Sequence, residues 1–165
     1  MRSGKPIACL LSEKSLEEMQ LRYHYLFKPG KSAAARLECT SFAKDQGEVF
    51  FEGIAVEYCN YFQGGMKVTG YRVGDFAYVS DIREYDESIF PFLEGVNCLV
   101  LSALHSGPSR IHFSIEEAVA FAEKAKIRST WLTHLSHLVD HEKESERLPS
   151  GVKLGYDGLT IEFEV

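Results

Sequence analysis

Basic excess, paired cysteines, long apolar runs and internal repeats are all missing from this chain of 165 residues. Its 18 Lys and Arg are outnumbered by 24 Asp and Glu, leaving a net charge of −6. That balance favours solubility and argues against a broad nucleic-acid footprint, although it leaves room for a local basic groove. The four cysteines, Cys9, Cys39, Cys59 and Cys98, are far apart and form no C-x-x-C pair. They read as reduced thiols in apolar, strand-like surroundings rather than as a disulfide framework. No apolar stretch approaches a membrane span, and Met1-Arg-Ser-Gly-Lys-Pro lacks the apolar core of a signal peptide. The expectation is one cytoplasmic domain over residues 1–165 with a hydrophobic content of 45%, enough for a respectable core.

What is present is ordered pattern. Pro6 to Leu11 reads as a strand, and Ser15-Leu-Glu-Glu18 as a capping box opening a helix to about Tyr25, with Leu16, Met19, Tyr23 and Leu26 facing inward. Lys28-Pro-Gly-Lys31 ends it. A β-rich block follows, with Leu37, Cys39 and Ser41 alternating, then Val49 to Phe51, then Ile54, Val56 and Tyr58. Gln63-Gly-Gly-Met66 reads as a flexible loop, and Gly74-Asp75 as a tight turn between strands Val68–Val73 and Phe76–Val79.

The pattern then alternates between helix and strand. Helical segments are expected over Asp86–Leu93, over Ser114 to about Lys126 with a capping box at Ser114-Ile-Glu-Glu117, and over His141–Arg147. Asn97–Leu101 reads as a short, wholly apolar strand buried on both faces, and Ser129–Thr133 as another buried strand. Leu154 to Phe163 reads as a hairpin with an Asp157-Gly158 turn, its residues Leu159, Ile161, Phe163 and Val165 facing inward. A meander giving way to β-α-β units predicts a mixed sheet covered by helices, α/β or α+β.

Three strand ends carry polar groups: Asp81, Ser102 and His134. If those strands are parallel neighbours, Asp81 and His134 share one rim, where α/β proteins build sites. Such a pair serves as metal ligands or as an acid–base pair. His134, His137 and His141 put half of the six histidines into eight residues, with Asp140 among them. Their H-x-x-H-x-x-x-H spacing would align them on one face of a helix. His137 and His141 could equally orient Asp140 or cap helix ends. His112, just ahead of the second capping box, is placed either to meet an anion at a helix N-terminus or simply on a surface loop. His24, between two tyrosines, reads as structural, and His105 is assigned no role.

Several stretches together resemble the metallo-β-lactamase-fold hydrolases, and within them the cyclic phosphodiesterases of the phosphonate-degradation type and their ribonuclease-Z-like relatives. They are Gly70-Tyr-Arg-Val-Gly-Asp-Phe-Ala-Tyr-Val-Ser-Asp81, His112-Phe-Ser-Ile-Glu-Glu-Ala118, Leu132-Thr-His-Leu-Ser-His137 with Asp140-His141, and Tyr156-Asp-Gly-Leu-Thr-Ile161. Lys5-Pro-Ile-Ala and Ser15-Leu-Glu-Glu fit the same family. The resemblance implies an αββα sandwich and metal-assisted hydrolysis of a small phosphodiester or nucleotide-like substrate, with two Zn or Mn ions in an intact member. It gives Asp81 and His134 the role of metal ligands. His112 would contact the substrate phosphate or protonate the leaving group, and His137, Asp140 and His141 would support the site from behind.

The departures from the family pattern set further expectations. The H-x-H-x-D-H motif is absent, Gln63 falls where a ligand histidine is expected, and Ser102 stands where relatives often carry Asp. The chain is therefore expected to be a partial domain that lacks the N-terminal strands, with weak metal binding and little turnover. The alternative is a non-catalytic module that works by binding or by self-association through an exposed sheet edge.

Overall fold

A computed structural model describes residues 5–27 and 36–163. The expected Lys28 to Lys31 helix stop and the inward-facing Val165 lie outside these residues. Seven strands form one mixed sheet in chain order: β3 (Gln46–Phe51), β4 (Ile54–Gln63), β5 (Met66–Val73), β6 (Phe76–Val79), β7 (Cys98–Ser102), β8 (Ser129–Thr133) and β9 (Val152–Leu154). The pairs from β3 to β6 are antiparallel, and those from β6 to β9 are parallel. Ahead of this sheet in sequence, β1 (Ile7–Ser12) and β2 (Leu37–Phe42) form a separate parallel pair. Phe42 of β2 stacks on Tyr58 of β4, with ring centroids 3.8 Å apart, and so seats the small pair on the large sheet. The expected mixed sheet with helices is what forms.

Helices cover one face. α2 (Ile89–Leu93) buries Ile89, Phe92 and Leu93. α3 (Ile115–Lys124) buries Ile115, Ala118, Phe121 and Ala122, which recur at helical spacing on one side. Both helices join Ala77, Val79, Leu99, Leu101 and Leu132 of the sheet in one core. Each large side chain so buried stabilises the fold by about 1.5–3 kcal/mol. α3 starts where the sequence predicts, because the Ser114 hydroxyl accepts the Glu117 N–H (3.2 Å) while the Glu117 carboxylate accepts the Ser114 N–H (2.8 Å).

Four local expectations need correction. The first helix, α1 (Glu13–Arg22), is capped by Ser12 and not Ser15, since the Ser12 hydroxyl reaches the Ser15 N–H at 3.2 Å. It stops at Arg22, a 3-10 turn over His24–Leu26 follows, and Tyr23 lies exposed rather than on the inner face. Gln63-Gly-Gly-Met66 is a tight hairpin connection: Gln63 pairs with Met66, and Gly64 and Gly65 take φ of 52° and 81°. Two successive left-handed residues are what such a two-residue turn requires, and glycines supply them without strain. His134 to Asp140 is not helical. His134 has φ 64°, and α4 (His141–Ser145) begins only after Asp140, which caps it by accepting the Lys143 N–H. Finally, Asp157-Gly158 does turn the chain, but no hairpin ladder forms; β9 instead extends the sheet beside β8. Leu159 and Ile161 are half-buried, and Phe163 is 40% exposed, stacked on Phe76.

Candidate metal centre

The parallel run β6-β7-β8 brings three strand ends to one rim, because parallel neighbours share the direction of their C-termini. Asp81 lies just beyond β6 and His134 just beyond β8. Both take left-handed backbone, φ 58° and 64°. Asp and His tolerate that conformation better than most residues, and it turns each side chain away from the strand axis at the rim. His134 Nε2 lies 3.1 Å from Asp81 Oδ1. The expected pairing across the rim is therefore present.

His112 joins them. Its Nδ1 lies 3.6 Å from the same Asp81 oxygen, and its ring lies 4.5 Å from that of His134, centroid to centroid. It is buried, where the sequence also allowed a surface loop position. Burial pushes its pKa down and neighbouring His134 pushes it further, with Asp81 opposing both, so the ring is held toward its neutral form. The Gln63 amide nitrogen approaches both ring nitrogens, at 3.1 and 3.2 Å. The position where the resemblance expects a ligand histidine thus does face the site, but with an amide.

The surroundings fix these groups. Tyr61 is 1% exposed, and its hydroxyl donates to the Ser80 carbonyl at 2.6 Å and anchors the residue before Asp81. Beyond Asp81, Phe62 N–H donates to the Glu84 carbonyl (2.8 Å), and Arg83 and Glu84 N–H both return to the Phe62 carbonyl. Arg83 Nη1 lies 2.8 Å from both Glu117 oxygens and 3.3 Å from the His112 carbonyl. This tie joins the Asp81 segment to the His112 segment through the cap of α3. The sequence marks Glu117 only as a capping residue; nothing in it flags Arg83 or Tyr61 as supports. Ser102 ends β7 fully buried, and its hydroxyl has no partner.

His137, Asp140 and His141 are exposed. Asp140 caps α4 and pairs with Lys143 at 2.8 Å, and none of the three joins the Asp81 group. His105 bonds the Ser106 carbonyl, and His24 meets Tyr25 edge-on. On the sheet face away from α2 and α3 lies a cavity of about 450 Å³, lined by Val100, Trp131, Tyr156, Leu159 and Ile161, with His134 also in its wall.

Asp81, His112 and His134 are the one group of three or more His, Cys, Asp or Glu among the described residues whose ligand atoms all lie within 4.8 Å of one another. Two imidazoles and a carboxylate are a donor set suited to Zn or Mn. The residues fit one metal ion. A second ion has no comparable set among the described residues.

Residues 9–135 match the model of the beta-lactamase superfamily domain. The chain belongs to that family. Its structural neighbours include a solved metallo-β-lactamase fold protein, YhfI from Bacillus subtilis, with a TM-score of 0.71 at 19% identity, covering 95% of this chain and 65% of that one. The crystal structure of a diphosphatase from the PhnP family superposes with a TM-score of 0.83 at 29% identity, covering 99% of this chain and 61% of that one. Human tRNase Z, short form, gives a TM-score of 0.66 at 16% identity (99% and 69% covered), and Zn²⁺-bound PqqB from Methylobacterium extorquens gives 0.71 at 14% (98% and 67% covered). An octanoyltransferase of Porphyromonas gingivalis is 24% identical over 159 residues, 94% of this chain, so the beta-lactamase superfamily chain spans about a third (32%) of that protein. The expected fold and family stand. No helix among the described residues is long and apolar enough to cross a membrane.

Proposed function

We propose that this chain is a metal-dependent hydrolase of phosphodiesters, acting on small or nucleotide-like substrates at the rim of β6 and β8. The observation that carries the proposal is the single Asp81 oxygen shared by His134 and His112. A Zn or Mn ion held by Asp81 and His134 would supply Lewis-acid stabilisation of charge on phosphate oxygens and a lowered pKa for water. The chain's own residues do the rest. Asp81 and His134 are each partly exposed, 37% and 42% at the side chain, so a phosphate can reach them. His112 stays beside them through Gln63 and the Arg83–Glu117 tie. Its neutral ring offers a lone pair in the resting protein; once protonated, it can give a proton to a departing oxygen. The net charge of −6 disfavours long nucleic acid and favours a short substrate.

The test is hydrolysis of bis(p-nitrophenyl) phosphate with Mn²⁺ or Zn²⁺. Metal-dependent turnover lost in His134→Ala supports the proposal; turnover indifferent to metal or to His134 removes it.

A second reading, a module that binds or self-associates, is favoured by one observation. The sheet face away from the helices leaves Tyr78 at 43% exposure, with Val100 and Trp131 only half-buried beside it. Apolar surface of this kind seeks a partner. Sedimentation at micromolar concentration discriminates, since a strict monomer removes self-association.

A further inference from the structure

We infer that Cys9 and Cys39 are a reversible oxidation site: in the presence of a small disulfide oxidant they close into one disulfide that staples β1 to β2. The inference goes beyond the metal-dependent reading and uses none of its residues.

The two cysteines are far apart in sequence, yet the parallel register of β1 and β2 sets Cys9 directly opposite Cys39. Opposed residues of parallel strands put their side chains on the same face of the sheet. Neighbouring strands stand about 4.7–4.9 Å apart. That spacing lies inside the Cα separation of about 4.4–6.8 Å that a disulfide spans, near its short end. The bridge therefore forms without pulling the strands apart, and it carries some strain, which keeps it reducible. The two thiols already sense each other. Burial pushes the Cys39 thiol up, and the charge of Cys9 and a hydrogen bond with it push further the same way. Both residues are half-buried, which leaves them open to a small reagent.

Cys59 and Cys98 provide the contrast. Cys59 pairs in register with Gln46 and Gly70, and Cys98 with Phe76 and Ser129, so neither has a cysteine opposite it. Burial first of all pushes the Cys59 thiol up to about 11, which keeps it protonated and unreactive.

The chemistry is thiol–disulfide exchange. One cysteine thiolate attacks a sulfur of the oxidant, whose S–S bond breaks and releases one small thiol. The second cysteine thiolate attacks the protein sulfur of that mixed disulfide and displaces the other small thiol. The pair gives up two electrons and two protons, and the oxidant takes up both. The staple has a weak element to hold, since a two-stranded sheet is marginal by itself. β1 and β2 lean on the large sheet through Phe42 on Tyr58 and through the Tyr71 hydroxyl, which donates to the Leu10 carbonyl at 3.1 Å. Closing the chain between Cys9 and Cys39 removes freedom from the unfolded state and so stabilises the folded one.

The test incubates the full chain with oxidised glutathione, alkylates the remaining thiols and maps the peptides. One intramolecular disulfide should join Cys9 to Cys39, with Cys59 and Cys98 recovered alkylated. Dithiothreitol should reverse it, and the oxidised protein should melt several degrees above the reduced one. Cys9→Ser and Cys39→Ser should each abolish both the link and the rise in Tm. Cys39→Ala, which adds no polar group, guards against a folding defect and should behave as Cys39→Ser. The proposal is overturned if Cys9 and Cys39 stay reduced, bridge instead to Cys59 or Cys98, or link only between chains. An oxidised protein that melts no higher than the reduced one overturns it equally.

Discussion

Tyr61→Phe removes one hydroxyl from the support of the metal centre. Tyr61 is 1% exposed, and its hydroxyl donates to the Ser80 carbonyl at 2.6 Å. Without it that carbonyl loses this donor, on a half-buried residue flanked by the core residues Val79 and Ile82. Leaving a buried acceptor unpaired costs about 1–3 kcal/mol, here reduced because Ser80 is only half-buried and the phenol oxygen is no longer buried. A net loss of about 1–2 kcal/mol follows, which for a chain of this size lowers the Tm by about 2–8 °C. Asp81 itself keeps its other restraints, the paired Phe62 and Glu84 and the Arg83–Glu117 contact. Zn²⁺ affinity should therefore fall by less than about tenfold, or 1.4 kcal/mol. Thermal denaturation of both proteins without metal, followed by Zn²⁺ titration, reads both quantities. A Tm unchanged within about 1 °C would refute the claim that the Tyr61 hydroxyl supports the Asp81 turn. A complete loss of metal binding with an intact fold would refute the claim that the other restraints suffice.

Three more outcomes are expected. Gly70→Ala places a Cβ 3.0 Å from the Tyr61 ring and 3.2 Å from Val79 inside a packed sheet, so urea denaturation should show a loss of about 1–3 kcal/mol. Ser102→Ala removes a buried hydroxyl that has no partner, and the same measurement should show no loss or a small gain; a clear loss would mean that the hydroxyl is bonded. Burial alone raises the Glu117 pKa, but hydrogen bonds from Ser114 and Arg83 outweigh it, so the carboxyl sits below its ordinary value. A depressed folded-state pKa stabilises at neutral pH, and that contribution fades as pH falls through it. Glu117→Gln should thus cost no more than about 1 kcal/mol near pH 7, given the 44% exposed carboxylate, and its melting curve should converge on wild type in acid.

Much of this fold is legible in the sequence where a local rule has no rival. Ser114 and Glu117 satisfy each other's backbone partners, so α3 starts where the residues say it must. β7 and β8 do pair in parallel, which puts Asp81 and His134 at one rim, but they are fully buried on one face only, since Val100 and Trp131 on the other are half-buried where burial on both faces was expected. The failures come from competition among equivalent signals. Ser12 and Ser15 are both able caps, and only the end of β1 decides for Ser12. Histidine spacing from His134 to His141 suits a helix, but His134 turns left-handed to face Asp81 and Asp140 starts a new helix. His112 at the metal centre, and Arg83 and Tyr61 behind it, are brought in by tertiary packing, which no short-range pattern records.

Asp81 carries the account, because both histidines converge on one of its oxygens. Isothermal titration of Zn²⁺ into wild type and into Asp81→Ala tests this directly. The wild type should bind Zn²⁺ at this rim, and the variant should lose that binding while melting as a folded protein. Undiminished binding to Asp81→Ala would contradict a metal centre built on Asp81.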